Sequence, residues 1–341
     1  MKALIVGLGG IGQRHVRNLR TLLGERLELI AYRVRRQSSV LTDKLQIEQG
    51  SVLEQKYGIH VFDDLDAALA EKPDVAFICN PTSLHVPVAL ACARAGCHLF
   101  VEKPISHDLE GVAELIDVVE RKRLIGFVAY QMRFHPCLKW VKAKLEQHAI
   151  GRVLAVRAEV GEYLPAWHTY EDYRQMYASR SDLGGGVIVT QIHEIDYLLW
   201  FFGLPRSVFA LGGHLSSLEI DVEDVASILM DIDGLPVHLH QDYVQRPPSR
   251  TLQVVGDSGK IMVDLRAPSV LLFTGDDTPV ETHVFADFER NQLFMDELKH
   301  FLACIEGKEV PMVPIQAGAQ SLRIALAAKE SLTTGAVVRL E

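Results

Sequence analysis

At 341 residues the chain is long enough for two cores, and 48% hydrophobic with 23% charged residues is ordinary globular composition. A net charge of −9 and a pI near 5.9 argue against nucleic acid or an anionic membrane as partner, because phosphate recognition needs clustered basic residues. No run approaches the ~20 apolar residues of a membrane span, and Cys79, Cys92, Cys97, Cys137 and Cys304 form no C-x-x-C pair, which argues against a disulfide framework or bound metal.

The first apolar run, Ala3–Val6, reads as a strand and leads into Gly7-Leu8-Gly9-Gly10-Ile11-Gly12 and a helical pattern. This is the strand–turn–helix arrangement that seats a dinucleotide pyrophosphate. Gly7 permits the tight turn, Gly9 lets backbone approach the phosphates, and Gly12 lets helix and strand pack closely. Gly10 and Ile11 begin the helix, whose free N–H groups and positive dipole end face the anion. No charged, apolar and cleavage regions of an export signal precede this strand, so a cytoplasmic location is expected.

Further strand-like runs follow at Leu27–Tyr32, His60–Phe62, Val75–Cys79, His98–Val101 and Ile125–Ala129. Helical patterns lie between them, among them Val86–Ala95, closed by Gly96, and Leu109–Arg121. Alternating strand and helix predict a parallel sheet covered on both faces, assigned to residues 1–129. The second strand ends in Arg33-Val34-Arg35-Arg36, without the acid that would bind both adenosine ribose hydroxyls. Arg33 and Arg35 suit a 2′-phosphate, so NADP is favoured over NAD. The fifth strand ends in Glu102-Lys103-Pro104, where strand ends open into a crevice. A lysine there can stabilise a developing oxyanion, and the proline admits a cis bond.

The rhythm changes near residue 130. A helix is read at His135–Gln147, then strands at Val153–Val160, Ser207–Leu211, Val225–Met230, Val237–Val244, Thr251–Val255, Lys260–Leu265 and Val270–Phe273, and helices at Asn291–Ile305 and Ile315–Ser331. Short turns between strands predict a mostly antiparallel open sheet in residues 130–341. One sheet face is left for a subunit contact, so a homodimer or homotetramer is expected. Leu239 and Val254 are candidates for that contact or for the core.

Two segments have the composition of a sugar pocket. One is Tyr130–Pro136, carrying Arg133. The other is Glu162–Arg174, carrying Tyr163, Trp167 and Tyr173. Aromatic faces stack on sugar C–H surfaces while polar groups meet hydroxyls. The length of the second segment points to a substrate larger than a free monosaccharide, such as a nucleotide-linked or acidic sugar. Val189–Phe202 reads as a helix ending at Gly203, with His193 and Asp196 on one face. Histidine suits proton abstraction near neutral pH. Tyr197 breaks the H-E-x-x-H pattern of a zinc site.

The glycine turn with His15, Asn80-Pro81-Thr82-Ser83-Leu84-His85, Glu102-Lys103-Pro104, Gly184-Gly185-Gly186 and His193-Glu194-Ile195-Asp196 occur in characteristic order and spacing. Over essentially its whole length the chain resembles the glucose–fructose oxidoreductase / inositol 2-dehydrogenase (Gfo/Idh/MocA) family. The resemblance implies an N-terminal Rossmann domain, a C-terminal α/β domain on a large open sheet, and NAD(P)-dependent chemistry at a carbinol carbon, usually of a sugar or cyclitol. It implies cofactor contacts from Asn80, Pro81, Thr82, His85, Glu102 and Lys103, catalytic roles for Lys103 and His193, and a substrate contact from His193 as well. Many members carry an aspartate one helical turn before the histidine. Here Thr190 stands nearest and is taken as a substrate contact. His193 then works without that carboxylate, or Asp196 or Glu194 orients it. The rival readings are a cofactor-sensing regulatory protein and a dehydrogenase of a non-sugar carbinol such as a dihydrodiol.

Overall fold

The computed structural model describes residues 1–34, 39–42, 46–168 and 170–340. The first half contains β1 (Lys2–Val6), α1 (Gly10–Leu23), β2 (Glu28–Tyr32), β3 (Ser39–Leu41), β4 (Ile47–Val52), α2 (Leu53–Tyr57), β5 (Ile59–Phe62), α3 (Leu65–Ala70), β6 (Val75–Ile78), α4 (His85–Ala95), β7 (His98–Glu102), α5 (Val112–Arg121) and β8 (Gly126–Ala129). Six strands form a parallel sheet in the order β5-β2-β1-β6-β7-β8. Its central strands are continuous apolar runs, buried on both faces. The order reverses between β1 and β6, which opens a crevice at their carboxyl ends.

The second half contains α6 (Pro136–Glu146), β9 (Val153–Gly161), α7 (Val187–Thr190), α8 (His193–Phe202), β10 (Ser207–Gly213), β11 (Val225–Ile232), β12 (Leu235–Asp242), β13 (Ser249–Gly256), β14 (Lys260–Asp264), β15 (Ser269–Phe273), β16 (Glu281–Val284), α9 (Arg290–Ile305), α10 (Ile315–Thr334) and β17 (Val338–Arg339). A nine-stranded sheet runs β16-β15-β14-β13-β9-β12-β11-β10-β17, antiparallel except where β9 lies parallel to β12. Leu239 and Val254 both point into the core, fully buried. The opposite parity faces out: Leu211 is 63% and Leu229 49% exposed.

The two halves interlock. Phe301 of α9 packs against Phe77, Phe100 and Phe127 of the parallel sheet. Asn291, one residue into α9, accepts from Arg14 at 2.9 Å and donates to Asn18 at 3.0 Å on α1. Both sheets and most helices agree with the sequence reading. Several departures concern the elements themselves, and β16 and β17 were also not read from the sequence. The β3–β4 hairpin was not foreseen, because β4 is mostly polar and largely exposed. The helix read from Leu109 starts only at Val112, after Gly111 in a left-handed turn. The helix read across Val189–Phe202 ends at Gly203 as expected but is broken at Gln191, which separates α7 from α8.

Candidate active site

The glycine turn lies at the carboxyl end of β1. Gly7 has φ of +89°, and a Cβ at Gly12 would stand 2.1 Å from the Gly7 carbonyl oxygen, so both positions require glycine. A Cβ at Gly9 would meet nothing within 4 Å. The space before the helix is open. No acidic side chain occupies the first turn of α1, so the N–H groups of Gly10, Ile11 and Gly12 present an uncompensated positive pole. This cradle fits a dinucleotide pyrophosphate.

At the end of β2, Arg33 is ion-paired with Glu54 of α2, its side chain only 12% exposed. The cation read as a 2′-phosphate ligand is therefore already neutralised. Arg35 lies outside the described residues. His85, read as a cofactor contact, is buried, and its ring nitrogens lie 2.8 Å from the carbonyl oxygens of Pro104 and Asn80. It braces the loops after β6 and β7 rather than lining the crevice. Thr82 is buried under Gly184, where a Cβ would strike His107 and Thr82. The glycine triplet thus lets the second half press against the loops of the first.

Glu102 is nearly buried and held by His15, Nε2 to Oε1 at 2.6 Å. The Lys103–Pro104 peptide is cis. Lys103 donates from Nζ to the carbonyl oxygen of Thr190 at 2.7 Å. The helix break makes this bond possible. In a continuous helix that carbonyl would accept from residue 194. The next carbonyl, of Gln191, accepts from Gln241 Nε2 at 2.7 Å, and the Gln191 side chain donates to the Asp242 carbonyl at 3.0 Å.

His193 begins α8 and packs edge-on against Tyr130, ring centroids 5.8 Å apart. Burial, then the nearby cations Lys103, Arg250 and Arg290, hold its pKa well below 6.5, so the ring is neutral at physiological pH. Its Nδ1 is buried and has no hydrogen-bond partner among the described residues. Neither acid proposed to orient it does so. Asp196 forms a buried bidentate pair with Arg133, 2.8 Å to Nε and 2.8 Å to Nη2, and accepts from Ser321. Glu194 accepts from Arg250 Nε at 2.7 Å.

These bonds also engage two residues read as substrate contacts. Arg133 is 5% exposed and donates to Asp196 and the Met312 carbonyl. Thr190 is buried and serves through its carbonyl, which holds Lys103.

The comparisons with known proteins place the chain in a family. Residues 1–130 match the family described as "Oxidoreductase family, NAD-binding Rossmann fold", and residues 138–262 match its "GFO/IDH/MocA C-terminal domain". The chain belongs to the GFO/IDH/MocA oxidoreductase family. Membership makes it an NAD(P)-dependent dehydrogenase acting on CH–OH groups. It is 27% identical over 352 residues to myo-inositol 2-dehydrogenase of Thermotoga maritima, covering 100% of this chain and 99% of the relative. It is 25% identical over 346 residues to D-xylose 1-dehydrogenase (NADP(+)) 2 of Haloferax volcanii, covering 99% of each. The WlbA dehydrogenase of Bordetella pertussis, solved with NADH and UDP-GlcNAcA, shares the fold: TM-score 0.84 at 21% identity, covering 100% of this chain and 98% of that one.

As in the sequence reading, this GFO/IDH/MocA chain carries aromatic side chains after β9. Tyr163 lies under Arg246, whose guanidinium is 4.1 Å from the ring centroid. Trp167 packs edge-on against Tyr243, and its Nε1 is buried with no partner among the described residues. Tyr173 is committed elsewhere, its hydroxyl accepting from the Glu219 backbone at 3.3 Å. The sequence reading missed Arg250 and Arg290, which act on His193 from β13 and α9. Neither sits in a recognisable local motif.

Proposed function

We propose that this dehydrogenase transfers a hydride between a nicotinamide cofactor and a carbinol or keto carbon of a sugar or cyclitol. The Lys103–Thr190 bond beside a neutral His193 carries the reading. Thr190 holds the ammonium at the mouth of the crevice, from where it donates to the reacting oxygen and stabilises negative charge there. His193, kept unprotonated by burial and by the cations around it, takes the hydroxyl proton when the alcohol is oxidised and returns it when the ketone is reduced. The nicotinamide, when bound at the glycine turn, supplies the hydride acceptor or donor. The reading extends to a homo-oligomer and to a preference for NADP.

The test is to incubate the protein with NAD⁺ or NADP⁺ and a panel of free sugars, cyclitols and nucleotide-linked sugars while following reduced nicotinamide. Turnover of at least one panel member is expected. Tight cofactor binding without turnover of any of them would favour a sensor instead.

A further inference from the structure

Three chain segments bring arginines to the same end of the crevice. Arg250 enters β13 beside the end of β9, in register with Val160, and its carbonyl accepts from Leu265 N at 2.9 Å. Arg266 follows in the turn between β14 and β15. Phe285 N donates to the Pro268 carbonyl at 2.9 Å, which draws the segment leading into α9 against that turn and places Arg290 at the first position of α9. The bonds from Asn291 to Arg14 and Asn18 then dock this end of α9 on the helix that opens the cofactor turn.

The charges there do not balance. Arg250 is neutralised by Glu194 at 2.7 Å. The Arg266 side chain is 46% exposed and, among the described residues, pairs only with Glu162, at 3.6 Å. Arg290 is exposed and makes no hydrogen bond or ion pair among the described residues. Glu162 is the acid that faces both Arg250 and Arg290 as well. Asp264 also lies in this turn, but its Oδ1 is taken by the Arg266 and Ala267 N–H groups at 2.7 and 2.9 Å. Glu162 is therefore the carboxylate that faces both remaining guanidinium groups, with the Lys103 ammonium beyond.

We infer that Arg290 and Arg266 form an oxyanion subsite for the substrate, so that the preferred substrate carries a carboxylate or phosphate as well as its reacting carbinol. A guanidinium fork matches either oxyanion with paired hydrogen bonds. The subsite is assigned to substrate rather than to the cofactor pyrophosphate because of what surrounds it. Arg250 and Arg290 act on His193, and Arg250 and Arg266 come from β13 and from the turn after β14 in the second sheet. A bound oxyanion would also offset the positive field on His193 and raise its proton affinity in the complex. This rests on the dehydrogenase reading above.

The test compares the cofactor-loaded wild-type protein with Arg290→Met and Arg266→Met on neutral sugars and cyclitols, on the matching uronates and on nucleoside-diphosphate sugars. The wild type should favour one of the two anionic sets, and which set responds tells carboxylate from phosphate. Arg266→Met removes a cation that does not act on His193 and should raise KM for that set about ten-fold or more, while KM for neutral sugars and Kd for NAD(P)H stay within about two-fold. Arg290→Met should raise KM for the anionic set by at least as much. Arg290→Lys should recover part of the loss. Equal losses on neutral and anionic substrates, a loss of cofactor affinity instead, or wild-type preference for neutral sugars would overturn the subsite. If no sugar of any charge is oxidised, the dehydrogenase reading fails, and calorimetric titration of uronates and nucleoside-diphosphate sugars decides the subsite separately. Binding weakened by Arg290→Met supports it, and binding absent or unchanged ends it.

Discussion

Lys103 and Thr190 are joined across the crevice by a side-chain to main-chain hydrogen bond of 2.7 Å. One lies at the end of the parallel sheet, the other at the end of a four-residue helix in the second half. The bond exists because α7 stops one residue before Gln191 and leaves a carbonyl without its helical donor. A buried acceptor of this kind orients the ammonium and leaves its remaining donors for a ligand.

Lys103→Met keeps an unbranched stem of similar bulk and removes the donor. The hydride step should slow about 100-fold or more, roughly 2.7 kcal/mol of transition-state stabilisation. Cofactor affinity should change far less, because the glycine turn carries the pyrophosphate. Single-turnover rates within a few-fold of wild type would remove Lys103 from the chemistry.

The pH profile of oxidation tests His193. Its pKa in the free protein is held well below 6.5, by burial first and then by cations. The base form therefore persists below the ordinary histidine range. The acid limb of kcat/KM should fall below pH 6.5, and His193→Asn should lower turnover and abolish that limb. An unchanged limb in the variant would assign the titration to another group.

Much of this site could be read from short strings. Gly7, Gly9 and Gly12 act through backbone conformation, and Lys103 follows directly from the strand that places it, so neighbours in sequence suffice. What short strings do not show are partners far apart in sequence. Asp196, 63 residues away, accepts from Arg133 Nε and Nη2. Arg33 looked free until Glu54 arrived from α2. The break at Gln191 depends on Gln241 and Asp242, 50 and 51 residues downstream, and no local propensity announces it. The β3–β4 hairpin and β16 carry mostly exposed positions, so they lack the apolar signal that marked the other strands.

The Arg33–Glu54 pair gives a test of cofactor choice. NADP(H) should bind more tightly than NAD(H). Glu54→Gln would release Arg33 and widen the preference about ten-fold, the value of one charge-assisted contact of ~1.5 kcal/mol. Arg33→Ala should narrow it. Calorimetric titration of both cofactors against the three proteins reads the change, and equal affinities throughout would show that the end of β2 does not select.

His135 ties stability to pH. It is buried at the start of α6, where Nδ1 accepts from Cys137 N at 3.2 Å, which requires a neutral ring. Burial, then Arg250, lowers its pKa to about 4. The unfolded chain takes up this proton near pH 6.5 and the folded protein only near 4, so stability is full above 6.5 and is lost as pH falls toward 4. His135→Asn keeps a capping oxygen and removes the titration. Denaturant unfolding at several pH values should show the gap between wild type and variant changing by up to about 3 kcal/mol across that window. A gap independent of pH would mean that the ring is not buried neutral.

The outward face of the second sheet predicts assembly. Phe209 pairs with Leu229 across β10 and β11, and Leu211, two residues on, is 63% exposed. These alternate with Ala210, Ile228 and Met230, which are buried. A strand that is apolar on both faces needs cover on both. A second copy laid face to face would supply it, so light scattering at micromolar concentration should give at least twice the chain mass of 38.0 kDa. Leu229→Glu places a charge at the centre of that contact and should shift the protein toward monomer while the core, on the opposite parity, stays folded by circular dichroism. A wild-type mass equal to that of one chain would leave this face to solvent and refute the assembly.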